Sequence, residues 1–213
     1  MDNNKQEMIT RMGNPRKPQG DEGRQMLGRM NESHGKVTMW ALNKITFNES
    51  DNVLDIGCGG GATLSRMSKL ITSGHLAGVD YSPVSVKLSS EYNAEDIERG
   101  RMEVLEASVE DLPFEDETFD KIVTVESFYF WPDPAENLKE VLRVLKSGGT
   151  FLLVADVYGK DGLDAKTLNN ISAYGLFNPT PEEFEAMFRD AGFNIVRIYT
   201  EPETDWICVE GIK

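Results

Sequence analysis

The sequence predicts a single α/β domain with a mostly parallel sheet, and three observations support it. Apolar strand-like runs alternate with helix-like stretches from Asn52 onward, with short connections between them. One run leads directly into a glycine-rich loop and a helix, in the order VLDIGCGGG and then residues 62–70. The last two extended segments are separated by only EPET, which is too short for a crossover helix, so these segments must pair antiparallel.

The first 50 residues differ in character from the rest of the chain. Residues 13–20 are rich in glycine and proline and predict a loop. An amphipathic stretch follows, and Gly35 is expected to divide it into two helices. We therefore expect residues 1–50 to form a loop and helical cap over a pocket, as part of one domain with residues 51–213.

The strands and helices after this segment are delimited by clear signals. Buried strands are predicted at residues 53–56, 75–80, 102–107, 119–126 and 149–157. Three helices begin at a capping side chain followed by proline at the first helical position, where the missing amide costs nothing. These caps are Ser82, Asp133 and Thr180.

The glycine loop indicates a nucleotide-like ligand. Gly57, Gly59 and Gly61 suggest a sharp turn or a close approach of backbone to ligand, because glycine alone tolerates such conformations at little steric cost. Read as GxGxxA, the loop also fits a dinucleotide. Asp55 favours a ligand ammonium group over a pyrophosphate. Asp80 could accept hydrogen bonds from a ribose in either case, but a dehydrogenase would need a substrate domain for which the chain has no room.

Composition narrows the classes of partner. With 22 basic and 36 acidic residues, the net charge of −14 argues against a nucleic-acid substrate and favours a small acceptor. The start lacks the apolar core of a secretory signal, and no stretch approaches the ~20 apolar residues of a membrane span, so a cytoplasmic protein is expected. The cysteines and histidines lack metal-site spacing, so we expect no metal centre. The sequence leaves the oligomeric state open.

Four motifs in order resemble the class I S-adenosylmethionine-dependent methyltransferases, especially their type 11 group. They are VLDIGCGGG, GVDYSP, EDLPFEDETFD, and WPDPAENLKEVLRVLKSGG leading into FLL. The resemblance covers about residues 50–157. It implies a Rossmann-like, doubly wound sheet of seven strands, mostly parallel, whose last two strands form an antiparallel hairpin.

The resemblance also implies a binding site for S-adenosylmethionine. Its residues would be Asp55, Gly57, Cys58, Gly59, Gly61, Asp80, Tyr81, Ser82, Ser108, Val109 and Glu126. The glycine loop would hold the amino-acid part of the cofactor, with Asp55 near its amino group, and Asp80 would bind the ribose. Many relatives carry Asp where this chain has Ser108, whose hydroxyl could accept weakly from adenine while the amide of Val109 reaches a ring nitrogen.

Three side chains are candidates for the chemistry at the acceptor. His34 lies in residues 1–50, which we call the front segment. It is a natural proton acceptor near neutral pH if this segment closes over the pocket. Glu126 lies in an apolar run, where an unpaired carboxylate would be costly, so it is expected to face a pocket. Tyr129 or Trp131, which carry hydrogen-bond donors among aromatic neighbours, is expected at the acceptor.

These observations predict methyl transfer from S-adenosylmethionine to a small-molecule acceptor by direct in-line displacement. Two alternatives keep the same cofactor. One is an enzyme that uses it without methylating, and the other is a non-catalytic sensor that only binds it.

Overall fold

A computed structural model describes residues 3–213, with side chains from residue 8 onward. Its sheet has seven strands in the order β3-β2-β1-β4-β5-β7-β6. The strands are β1 (Asn52–Ile56), β2 (His75–Asp80), β3 (Met102–Glu106), β4 (Phe119–Val125), β5 (Leu145–Ala155), β6 (Ile195–Thr200) and β7 (Ile207–Ile212).

Strands β1 to β5 are parallel to one another, and β7 pairs antiparallel with both β5 and β6. The predicted fold class is therefore confirmed, including the closing hairpin. The chain crosses from β3 on one side of β1 to β4 on the other, so the strand order reverses between β1 and β4. In open α/β sheets, ligands bind at the carboxyl ends of the strands at such a reversal.

Nine helices in residues 3–213 accompany the sheet. They are α1 (Asn3–Gly13), α2 (Gly20–Ser33), α3 (Gly35–Leu42), α4 (Ala62–Met67), α5 (Pro83–Tyr92), α6 (Ala94–Glu98), α7 (Pro134–Val144), α8 (Ala165–Tyr174) and α9 (Pro181–Ala191), and one 3₁₀ turn covers Phe128–Phe130. The side chains of Ser82, Asp133 and Thr180 cap α5, α7 and α9 as predicted.

Two apolar clusters form the core. One contains Phe128 and Phe151 together with Phe184 and Phe188 of α9. The other joins strand residues to side chains of α3 and α4, including Val37 and Leu64. Burial of apolar surface on both faces explains why the strands are almost continuous apolar runs rather than alternating ones.

The front segment contains three helices, and the amphipathic stretch is broken at His34, between α2 and α3, next to the predicted Gly35. The buried face of α2 carries Met26 and Leu27. None of the helices in residues 3–213 is long and apolar enough to cross a membrane.

Candidate functional site

A cavity of about 290 Å³ opens where the carboxyl ends of β1, β2 and β4 meet the front segment. It lies at the reversal of strand order described above. The front segment supplies residues between Pro15 and Thr38 to its wall, and the sheet supplies the loops that follow β1, β2, β3 and β4. The cavity is therefore enclosed jointly by the sheet edge and by residues from the first 50.

The glycine loop owes its shape to left-handed backbone. Gly57, Gly59 and Gly61 have φ angles of 74°, 51° and 84°. A Cβ on Gly57 would lie 2.4 Å from Ser127 Oγ, so a larger residue has no space there. The amides of Gly57 and Cys58 both donate to the carbonyl of Val79, at 2.8 and 3.0 Å, which fastens the loop to the end of β2.

Gly61 has a packing role that the sequence did not suggest. A Cβ at this position would lie 2.5 Å from Asn93 Nδ2 and 2.6 Å from Ser89 Oγ, both near the end of α5. Asn93 Nδ2 also donates to the Gly61 carbonyl at 3.0 Å. Gly61 is not among the residues that line the cavity. Glycine is required at position 61 because the loop packs closely against α5.

Asp80 ends β2 and is held by two backbone donors. Its Oδ2 accepts from the amide of Gly59 at 3.0 Å, and its Oδ1 accepts from the amide of Ser82 at 2.9 Å. Burial raises the pKa of Asp80, and these two amides oppose the rise. The carboxylate lines the cavity, where its remaining acceptor capacity is available to a ligand hydroxyl.

Asp55 lies behind the glycine loop. It is 1% exposed, it does not line the cavity, and its Oδ2 is buried without a hydrogen-bond partner among the described side chains. Burial raises the pKa of Asp55 to about 8, and the charge of Asp80 adds to the rise. The expected contact with a ligand ammonium group therefore stays a prediction.

The front segment is hydrogen-bonded to the loops on the sheet. Asn31 Nδ2 donates to the carbonyl of Gly60 at 2.9 Å, and Arg66 donates to the carbonyl of Asn31 at 3.0 Å. Ser82 Oγ donates to the carbonyl of Pro18 at 2.5 Å. These contacts hold α2 over the glycine loop and the loop before α2 over the end of β2.

The segment after β3 contributes Ser108 and Val109 to the cavity wall. The hydroxyl of Ser108 donates to Glu110 Oε2 at 2.9 Å and accepts from the Glu110 amide at 3.2 Å. Its hydrogen-bonding capacity is thus largely used within the turn. The side chain of Val109 is buried and also belongs to the apolar core cluster on one face of the sheet.

Glu126 follows β4 with a φ angle of 57°, which is uncommon for a residue other than glycine. Its Oε2 accepts from Tyr129 Oη at 2.6 Å, and its Oε1 accepts from the backbone amide of Asp156. Burial raises the pKa of Glu126 well above its ordinary value, and the nearby Asp156 charge adds to the rise. His34 comes within 4.8 Å of both carboxyl groups.

The structure brings most of the predicted site residues to one cavity. Those that line it are His34, Gly57, Cys58, Gly59, Asp80, Tyr81, Ser108, Val109 and Glu126. Those that do not are Asp55, Gly61, Ser82 and Tyr129; of these, Ser82 and Tyr129 bond directly to lining residues.

Several lining residues escaped the sequence reasoning. They include Asn31, Gly60 and Arg66, and Asp156 joins them at the Glu126 carboxyl. Asn31 and Arg66 gave no signal because polar residues on amphipathic helices normally face solvent. Asp156 follows β5, and its position at the carboxyl end of a strand beside the reversal was a usable signal.

The fold, the glycine loop and the acid at the end of β2 define a class I S-adenosylmethionine-dependent methyltransferase. Residues 54–153 match the family model described as "Methyltransferase domain". The domain spanning these residues belongs to this family, in its type 11 group, and the predicted cofactor, S-adenosylmethionine, is confirmed with it.

Individual relatives agree at the level of the domain. The chain is similar to 2-methyl-6-phytyl-1,4-hydroquinone methyltransferase 2 of Oryza sativa, with 31% identity over 146 residues, covering 68% of this chain and 40% of the rice protein. It thus spans about two fifths of that relative's length. It is also similar to the uncharacterized methyltransferase YdaC of Bacillus subtilis, with 25% identity, covering 76% of this chain and 82% of YdaC.

Among solved structures, a SAM-dependent methyltransferase from Aquifex aeolicus superposes with a TM-score of 0.73 at 20% identity. The match covers 89% of this chain and 97% of that one. At this identity the superposition supports the fold rather than any particular activity.

Proposed function

We propose that the protein transfers the methyl group of S-adenosylmethionine to a small-molecule acceptor by direct in-line displacement. The observation that carries this proposal is the convergence of the glycine loop, Asp80 and Glu126 on one cavity at the strand-order reversal. These residues fit the cofactor. The left-handed glycines allow close approach of the backbone to a ligand, and a carboxylate at the end of β2 suits a ribose.

Within this proposal, each part of the cavity has its own ligand group. Asp80, fixed by two amides, accepts hydrogen bonds from the ribose hydroxyls. Gly57, Cys58 and Gly59 pack against the amino-acid part, whose ammonium group would favour the ionised form of the deeper Asp55. The adenine lies along the turn at residues 107–110, with Tyr81 beside it.

Residues 1–50 act as a cap over this cavity. The hydrogen bond from Asn31 to Gly60 and the bond from Ser82 to Pro18 support that role, because both join the front segment to loops that border the cavity. A cap excludes water from the reacting atoms and orients the acceptor.

The chemistry of the step is simple for the protein. The bound cofactor supplies an electrophilic methyl group on a positively charged sulfur. The chain must hold a nucleophilic atom of the acceptor in line with that methyl group and receive its proton if the atom is a hydroxyl oxygen. His34 is the proposed proton acceptor, Glu126 borders the reacting atoms, and Tyr129 orients Glu126 through its 2.6 Å hydrogen bond.

The acceptor is proposed to be a small molecule. The rice relative is named for a hydroquinone, and an acceptor of comparable aromatic character would pack against Phe130 and Trp131, which line the cavity. The net charge of −14 disfavours a polyanionic acceptor such as nucleic acid.

The test is transfer of label from methyl-labelled S-adenosylmethionine to a panel of hydroquinones, phenols, amines and thiols, with products identified by mass. Calorimetry of S-adenosylmethionine with the same protein supplies the matching binding measurement. Labelled product on one acceptor class supports the proposal. Tight binding without labelled product on any class favours the sensor, and a product that lacks the label while consuming the cofactor favours a non-methylating enzyme.

A further inference from the structure

Three ionisable side chains from distant parts of the chain meet beside the cavity. Ligand atoms of His34, Glu126 and Asp156 all lie within 4.8 Å of one another. His34 lies between α2 and α3, Glu126 follows β4, and Asp156 follows β5. The sequence indicated roles for the first two only. The role of Asp156 follows from what its charge does to the other two groups.

Glu126 is fixed in place and favours its protonated form. Each of its carboxyl oxygens already accepts a hydrogen bond, one from Tyr129 Oη and one from the amide of Asp156. Burial and then the charge of Asp156 raise the pKa of Glu126 well above its ordinary value. A carboxyl group that keeps its proton at neutral pH is a poor acceptor for another.

His34 has the opposite tendency. Burial lowers the pKa of His34, so the neutral imidazole, which has a free lone pair, is favoured. The charged or titratable groups that face it are Asp156, Glu126 and Arg66. Arg66 opposes the imidazolium form, whereas Asp156 stabilises it. Among the described residues, Asp156 is thus the group that makes proton uptake by His34 easier.

We propose that Asp156 is a positioning residue that holds a negative charge beside His34 and stabilises the imidazolium formed when His34 takes the acceptor's proton. The inference rests on the proposed methyl transfer. In that step, a bond forms between the acceptor atom and the methyl carbon, and the methyl–sulfur bond breaks with its electron pair remaining on sulfur. The acceptor's proton moves to His34 and later passes to solvent, so the imidazole is regenerated.

A divalent cation is the other occupant that such a trio of side chains could hold. Two observations indicate that these three side chains handle a proton rather than hold a cation. The guanidinium of Arg66 acts on His34 from the neighbouring helix and would repel a cation. Both oxygens of Glu126 are also already engaged by hydrogen-bond donors.

The test uses the fact that the chain contains only two histidines, His34 and His75. We would follow both imidazoles by NMR as a function of pH in the 213-residue chain, assigning them with a His75→Gln variant. Asp156→Asn should lower the titration midpoint of His34 by about one pH unit and leave that of His75 unchanged. This substitution keeps the backbone amide that binds Glu126.

Two further variants complete the design. Asp156→Glu keeps the charge and should restore the midpoint of His34. Asp205→Asn is the matched control. Asp205 and Asp156 both line a second, separate cavity, but Asp205 pairs with Lys160 at 2.6 Å. An unchanged His34 midpoint in Asp156→Asn would overturn the proposal. A second outcome would also overturn it. If one equivalent of Zn²⁺ abolishes the titration of His34 in the wild type but not in Asp156→Asn, the three side chains form a metal site.

A kinetic measurement separates this proposal from the proposed function. With an acceptor identified, the rate of Asp156→Asn should fall at least tenfold and its acidic pH limb should move with the His34 midpoint. An unaltered pH–rate profile would contradict the role of Asp156. If the wild type binds S-adenosylmethionine but methylates nothing, the proposed function fails, while the NMR titration still reports separately on the pairing of Asp156 with His34.

Discussion

Asp80 Oδ2 accepts a hydrogen bond from the backbone amide of Gly59 at 3.0 Å. The residue proposed to bind the ribose is therefore also the residue that fixes the conformation of the glycine loop. One carboxylate couples the two halves of the cofactor site, because a shift of β2 relative to the loop would break this bond. A substitution at Asp80 is therefore expected to affect both cofactor binding and stability, although burial makes the charge itself costly.

Asp80→Asn should weaken S-adenosylmethionine binding by at least tenfold and should also lower the melting temperature, because Asn has one acceptor oxygen for the two backbone amides that Asp80 holds. The variant loses the charged acceptor for ribose hydroxyls and the acceptor for one backbone amide, and the removal of a buried carboxylate whose pKa is raised by burial offsets only part of the lost stability. Calorimetry and thermal unfolding measure the two effects. Asp190→Asn, at an exposed position of α9, is the control. Affinity equal to that of the wild type would rule out the ribose assignment.

Gly57→Ala should destabilise the protein more than Gly100→Ala does. Both glycines have a left-handed φ, 74° and 70°, so both substitutions carry backbone strain of about 1–3 kcal/mol. A Cβ at Gly57 would also lie 2.4 Å from Ser127 Oγ, whereas a Cβ at Gly100 meets nothing within 4 Å. Urea unfolding of the two variants isolates the cost of the clash. Equal free energies of unfolding would show that the loop has room at Gly57.

Much of this architecture was predictable because local signals agree with the tertiary structure. The caps at Ser82 and Thr180 and the short EPET connection act over a few residues, and the structure contains the helices and hairpin they indicate. The glycine loop was equally clear, although Gly61 serves packing against α5 rather than the cavity wall. Positions fixed by backbone geometry are those that a single sequence reports well.

The acceptor side was less predictable, for a physical reason. Asn31 reaches the site only through its long-range contact with Gly60, which leaves no local pattern. The contact of Asp156 with Glu126 is also long-range, and its one sequence signal is its position directly after β5. At Asp55, by contrast, a local pattern was present but suggested an exposure to the cavity that the structure does not show. Its spacing before the glycines suggested a ligand contact, but in the structure β1 buries Asp55 behind the loop and away from the cavity wall.

Asp55→Asn should change how stability depends on pH. The folded-state pKa of Asp55 is about 8, above the unfolded value, so the folded protein binds this proton more tightly. The group therefore costs stability progressively as pH rises from about 4 towards 8, by at most about 1.4 kcal/mol per pH unit. Asn removes that cost, so the variant should gain stability relative to the wild type between pH 5 and pH 8. Urea unfolding at pH 5, 6.5 and 8 measures the difference, and parallel curves would contradict the raised pKa.

Asn31→Ala tests whether the front segment acts as a cap. It removes the hydrogen bond from Asn31 Nδ2 to the Gly60 carbonyl but keeps the Asn31 carbonyl that accepts from Arg66. The expected stability loss is about 1 kcal/mol, the usual net value of one hydrogen bond. If the cap retains the cofactor, S-adenosylmethionine should dissociate several-fold faster, because α2 is released from the glycine loop. Stopped-flow dissociation measures this, with the exposed Gln25→Ala on the same helix as control. A dissociation rate equal to that of Gln25→Ala would show that α2 covers the loop without controlling access to it.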